Sequence, residues 1–177
     1  TRLYTFVWTL FDLLEAVTRM RPSRRPAFVV TDRPNPLGGL RVEGPALNAS
    51  CCASRYGRLA GVTHVHGMTI GELARYFVDA LGADAPKLTV VPMQGWRRSM
   101  SYFDVPATLP WLPPSPNLPT PDAAMAYPVT VWLEATPNVT EGRGTSLPFS
   151  LIGAPSLNGS MLASRRMHVL AVAAVAT

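Results

Sequence analysis

The chain has 177 residues, 47% of them hydrophobic and 15% charged, a composition that can build a core and is not that of a disordered chain. Eleven acids face 15 Arg and 1 Lys, a net charge of +5. The only dense basic cluster is Arg19, Arg21, Arg24 and Arg25, at a predicted helix end where cations complement the dipole, so no nucleic-acid partner is expected. No apolar run reaches the roughly 18–20 residues of a membrane helix, so no membrane span is expected either.

From the N-terminus, Tyr4 to Met20 repeats its apolar residues with a period close to 3.6, which predicts an amphipathic helix stopped by Pro22 and Pro26. Ala27 to Thr31 (AFVVT) is a short β-branched run, predicted as a strand buried on both faces. It enters the loop DRPNPLGG, and from Arg41 to Val65 no period is visible, so that stretch is taken as a surface excursion. Thr69-Ile70-Gly71-Glu72 ahead of Leu73, Phe77 and Leu81 predicts a capping box opening a second helix. Leu88 to Met93 (LTVVPM) is a second buried strand, and Gln94 to Pro119 is Trp- and Pro-rich and irregular. Thr120-Pro121-Asp122 starts a short helix, Val129 to Leu133 (VTVWL) is predicted as a third strand ending at Glu134, and a Gly/Pro-rich loop follows.

Helices alternating with strands predict an α/β fold, a Rossmann-like parallel sheet with flanking helices. The expected division is 1–147 for this domain and 148–177 for the start of a smaller C-terminal domain or a divergent tail. Ligands of open parallel sheets sit at the carboxyl ends of the strands, which draws notice to Asp32, the 95–117 stretch and Glu134. There is no GxGxxG, which argues against a dinucleotide oxidoreductase, and no cofactor is expected. Cys51, Cys52, His64 and His66 match no zinc spacing, so no metal is expected. The adjacent cysteines also do not easily meet disulfide geometry.

Several residue groups admit two readings. Asp32, Arg33 and Asn35 can hold a polyhydroxylated or carboxylated ligand, or Asp32 can simply cap a turn and pair with Arg33. His66 stands ahead of a helix N-terminus, where it can act as acid, base or donor. Glu72 is explained by its capping role. Asn117 lies in a loop stiffened by Pro113, Pro114 and Pro116. Glu134 and Glu141, with Arg143 beside them, offer two carboxylates suited to glycoside chemistry, or two acids neutralised by arginine.

Taken in order, TRLYTF, DRPNPLGG, VEGP, HGMTIGELA, GWRRSM, LPWLPPSPNLPT, YPVTVWLE, NVTEGRGT and GAP resemble the NamZ/YbbC-type family, formerly a domain of unknown function. The resemblance runs from about Arg2 to Pro155. It implies a Rossmann-like domain joined to a smaller one with a cleft between them. The activity implied is exo-β-N-acetylmuramidase, a glycoside hydrolase releasing terminal N-acetylmuramic acid from peptidoglycan fragments. The partner implied is therefore a peptidoglycan-derived muramyl sugar.

Within that frame the expected catalytic group is His66, Glu134, Glu141 and Asp32, and the expected substrate-binding group is Arg33, Asn35, Asn117, Arg143 and Glu72. Arg33 or Arg143 would pair with the lactyl carboxylate, and His66 would position substrate or assist proton transfer. The family pattern also has a Pro-Glu-His-Gly segment upstream of this region, carrying the Glu taken as catalytic. Where the family reads Glu-Gly-Thr-Asn, this chain has Glu134-Ala135-Thr136-Pro137-Asn138, and similarity fades after Pro155. On these departures the chain is expected to be an internal fragment, inactive as it stands, with binding of an amino sugar as the alternative function.

Overall fold

The computed structural model describes residues 6–52, 54, 57, 59, 61–106, 108–164 and 173–174. It is a mixed α/β structure with a small parallel sheet and flanking helices, and it divides into two compact units, Thr1–Pro106 and Ala107–Thr177.

In the first unit the predicted amphipathic helix is α1, Phe6–Thr18. Its buried stripe, Val7, Trp8, Phe11 and Leu14, packs on Leu73 and Phe77 of α3, Ile70–Leu81. Trp8 stacks on Phe77 at 5.6 Å between ring centroids, and Phe11 meets the same ring edge-on at 5.2 Å. Burying such a ring stabilises by about 1.5–3 kcal/mol, so this aromatic trio anchors the unit. The exposed carbonyls at the end of α1 are taken by Arg25, which donates to Thr18 O at 2.7 Å and Met20 O at 2.9 Å. One arginine of the basic cluster therefore closes the helix, as its position implies.

Strands β1, Phe28–Thr31, and β4, Leu88–Val91, pair in parallel from Phe28↔Leu88 to Thr31↔Val91. Burial on both faces was the expectation from their composition, and it is corrected here. Phe28 packs against the helical core and Val30 is buried, whereas Val29 is 58% and Val91 46% exposed. Side chains alternate across a strand, and among the described residues the helical layer covers one face of this pair. Gly71 lets α3 approach: a Cβ there would lie 2.6 Å from Val90 Cγ1 and 2.8 Å from the Asp32 carboxyl carbon. The supposed surface excursion between β1 and α3 contains β2, Glu43–Ala46, antiparallel to β3, Thr63–Val65, and the short α2, Ala49–Cys52. All four residues of β2 are exposed, so it carries no burial pattern to read. Contrary to the expectation from adjacency, Cys51 is disulfide-bonded.

In the second unit α4, Pro121–Thr130, begins as predicted, with Thr120 Oγ1 accepting from Ala123 N–H at 3.2 Å and Pro121 in the first turn. It then continues where a strand was expected. Val129 and Thr130 complete α4, and Val131–Ala135 form a 3-10 turn, so Glu134 follows no strand. The reason is tertiary: Ala123, Ala124, Tyr127 and Thr130 are buried, Tyr127 meets Phe149 edge-on at 4.9 Å, and Thr130 Oγ1 donates to Phe149 O at 3.0 Å. These contacts override the β propensity of VTVWL. The unit is completed by β5, Leu151–Ile152, α5, Gly159–Ser164, and β6, Ala173–Ala174, which pairs in parallel with β5. Beyond Ser164 only Ala173 and Ala174 are described.

Candidate functional site

The structure gathers most of the predicted residues into two clusters, one in each unit, and leaves Asn117 outside them. In the first, Asp32 stands just past the carboxyl end of β1, as the sequence places it. Its carboxylate is taken by the start of α3: Oδ1 accepts from Gly71 N–H at 2.8 Å and Oδ2 from the Thr69 hydroxyl at 2.9 Å. Oδ1 also accepts from Arg33 N–H at 2.9 Å. A negative group at a helix N-terminus satisfies orphan donors and complements the dipole. Asp32 thus joins strand to helix while also accepting from the Arg33 N–H that follows it.

Glu72 has the predicted capping role and a second one. Its Oε2 accepts from Thr69 N–H at 2.9 Å while Thr69 Oγ1 accepts from Glu72 N–H at 3.2 Å. Its other oxygen pairs with Arg98. Arg98 also donates to Gly39 O at 3.1 Å and Gly67 O at 3.2 Å, so one guanidinium joins three segments distant in sequence. Sequence reasoning assigned Arg98 no role. It sits inside the GWRRSM motif, but nothing in local spacing shows that it reaches residues 31 and 59 positions away.

Asn35 is buried and holds the loop from within: Nδ2 donates to Met68 O at 3.1 Å and Oδ1 accepts from Leu37 N–H at 3.0 Å. Arg33 is exposed beside it. His66 is half-buried, and its Nδ1 accepts from Met68 N–H at 3.0 Å. In the neutral ring the proton is then on Nε2.

In the second unit Arg143 pairs with both predicted carboxylates. It contacts Glu134, and its Nε lies 3.1 Å from Glu141 Oε1. The guanidinium also sits over the Phe149 ring at 5.3 Å. Glu141 is 6% exposed, whereas the Arg143 side chain is 40% exposed, so the cation has one face held by protein and another open to solvent. The loop is tied down from both ends, by Phe149 N–H to Glu141 O at 2.6 Å and by Thr140 bridging Gly153. Asn117 is half-buried in its proline-stiffened turn, its N–H donating to Ser115 Oγ at 3.2 Å, and no hydrogen bond brings it to the Arg143 cluster among the described residues. Trp111 serves the same turn, donating to Leu118 O at 3.1 Å.

What these clusters can do follows from their partners. All four predicted carboxylates accept from cations, hydroxyls or backbone N–H groups, and so fix chain segments and guanidinium groups. A guanidinium such as that of Arg143 or Arg33 has the geometry to meet a carboxylate. Among the described residues no group of three or more His, Cys, Asp or Glu could hold a metal ion.

Comparison with known proteins gives these clusters a context. Residues 1–122 match the family model for the N-terminal part of exo-beta-N-acetylmuramidase NamZ, and residues 125–176 match that for its C-terminal part. The peptidoglycan beta-N-acetylmuramidase NamZ of Bacillus subtilis (strain 168) is 43% identical over 165 residues, 92% of this chain and 37% of that protein. Two DUF1343 family proteins of Bacteroides fragilis NCTC 9343, known from crystal structures, share the fold. One has a TM-score of 0.79 at 32% identity, over 93% of this chain and 41% of its own. The other has a TM-score of 0.72 at 34% identity, over 89% of this chain and 42% of its own. The chain thus spans less than half the length of the relatives it matches. With both family models matched in order, this chain belongs to the exo-β-N-acetylmuramidase NamZ family.

Proposed function

We propose that the protein acts on peptidoglycan fragments as a glycoside hydrolase that releases terminal N-acetylmuramic acid. The observation that carries this reading is the 43% identity to a peptidoglycan β-N-acetylmuramidase across 92% of the chain, spanning both clusters. In this reading Arg143 or Arg33 receives the lactyl carboxylate, the group that distinguishes a muramyl sugar from its glucosamine counterpart. Arg143 is suited to it because Glu141 and Phe149 hold the guanidinium in place while part of it stays exposed. A pre-oriented fork loses little entropy on binding a carboxylate. Where Arg33 is the anchor, His66 of the same unit is the candidate to position the sugar. Asp32, Asn35 and Glu72 keep the segments around His66 in place.

A second reading, binding without hydrolysis, is favoured by one observation: Glu134 and Glu141 both pair with Arg143. A carboxylate engaged by a guanidinium must leave it before it can reach a glycosidic oxygen as general acid. The test uses a chromogenic β-N-acetylmuramide beside the matching N-acetylglucosaminide. Release of chromophore from the muramide alone supports the hydrolase. Calorimetric binding of the muramide without release supports the second reading. Absence of both overturns the assignment.

A further inference from the structure

We infer that Arg98 is a positioning residue that fixes the ring of His66 through a single peptide plane. The carbonyl of Gly67 and the N–H of Met68 belong to the same planar peptide unit. Arg98 donates to that carbonyl at 3.2 Å, and the N–H at the other side of the plane donates to His66 Nδ1 at 3.0 Å. Holding one end of a rigid plane sets the direction of the other. A donor on the carbonyl also polarises the peptide and strengthens its N–H as a donor.

The surroundings leave this plane few alternatives. Gly67 has φ +63, in the left-handed region, and a Cβ there would lie 2.8 Å from Arg41 O and 3.0 Å from Gly39 O. Arg98 is itself held at three points. Its side chain pairs with Glu72 and donates to Gly39 O, and its own carbonyl accepts from Gly39 N–H at 2.7 Å. On the far side, Asn35 Nδ2 takes the next carbonyl, Met68 O, at 3.1 Å. The capping box of α3 is thus linked through Glu72, Arg98 and the 67–68 peptide to the orientation and tautomer of a histidine. Lysine cannot replace this arginine, because a point charge cannot donate in the same fork to two carbonyls and a carboxylate.

The structural claim is independent of the hydrolase reading. Only its effect on turnover rests on that reading, and the experiment separates the two. In the protein labelled with nitrogen-15, the Met68 N–H to His66 Nδ1 hydrogen bond gives a scalar coupling across the bond and slows exchange of the Met68 amide. Arg98→Lys and Arg98→Ala are expected to abolish the coupling and speed that exchange about tenfold, the size expected for losing one net hydrogen bond. The Leu73 amide, bonded to Thr69 O at 3.0 Å in the helix start, should keep its wild-type protection and reports that the unit is folded. Should Arg98→Ala fail to fold, Arg98→Lys decides alone. An unchanged Met68–His66 coupling in a folded variant overturns the inference. Where the wild type turns over the muramide, kcat should fall about tenfold to a hundredfold in Arg98→Lys with KM little changed, as for a displaced reacting group. Wild-type protein without turnover would overturn the hydrolase reading and leave the coupling measurement to judge Arg98.

Discussion

The carboxylates around the start of α3 and those around Arg143 are placed for different work. Asp32 binds backbone N–H groups and the Thr69 hydroxyl, and Glu72 joins the Thr69 N–H to Arg98, whose guanidinium in turn holds two carbonyls, so what this cluster holds is chain. Glu134 and Glu141 converge on one guanidinium, so what they hold is a charge that remains partly exposed. The difference lies in what the guanidinium does next: Arg98 is spent on backbone carbonyls, whereas the Arg143 side chain stays 40% exposed. Changes at the first cluster should register in stability, and changes at the second in recognition.

The largest effect is expected from Asp32→Ala. It strands the Gly71 N–H and the Thr69 hydroxyl and removes a charge from a helix N-terminus, and should cost about 3 kcal/mol in urea unfolding. A loss near zero would show that solvent replaces these bonds and would break the contrast. Arg143→Ala should cost less, about 2 kcal/mol, because the cation is partly solvated even though it leaves Glu141 buried without its partner. Its main effect should fall on muramide affinity, reduced at least about tenfold, as for a lost charged hydrogen bond. Glu134→Gln, at the half-exposed pair, should change stability by no more than about 0.5 kcal/mol. If Glu134→Gln instead weakens binding as much as Arg143→Ala, Glu134 itself touches the ligand.

The smallest effect lies outside both clusters and calibrates them. The hydroxyl of Ser101, and then its backbone N–H, hold the Asp104 carboxyl below its ordinary value of 3.8. A depressed folded value means that the contribution is present above the unfolded value and is lost as pH falls below about 3.8 through the folded one. Ser101→Ala should move the Asp104 titration midpoint, read by carboxyl NMR, back toward the ordinary value. No movement would mean that the turn, rather than the hydroxyl, sets it.

Much of this was legible in the chain. The apolar period of α1, the Thr69–Glu72 box, the Thr120-Pro121 start of α4 and the two parallel strands are all written in residues a few positions apart, and local propensity and capping chemistry act at that range. The ordered motifs carried the family as well. Other features were not legible, the antiparallel pair β2–β3 within the aperiodic 41–65 stretch among them. VTVWL has the side chains of a strand and lies in a helix and a 3-10 turn, because a helix already nucleated at Thr120 gains Phe149 as a partner by continuing. The strands β1 and β4 expose Val29 and Val91, because which face of a sheet is covered depends on the layers around it. Arg98 joins Gly39, Gly67 and Glu72, and no local pattern encodes a guanidinium bridging such distant segments. Sequence alone determined where helices begin and which family the chain resembles, since both rest on short-range order along the chain. Tertiary structure alone decided which backbone groups and which guanidinium each acid holds, because that choice is made by groups that meet only after the chain has folded.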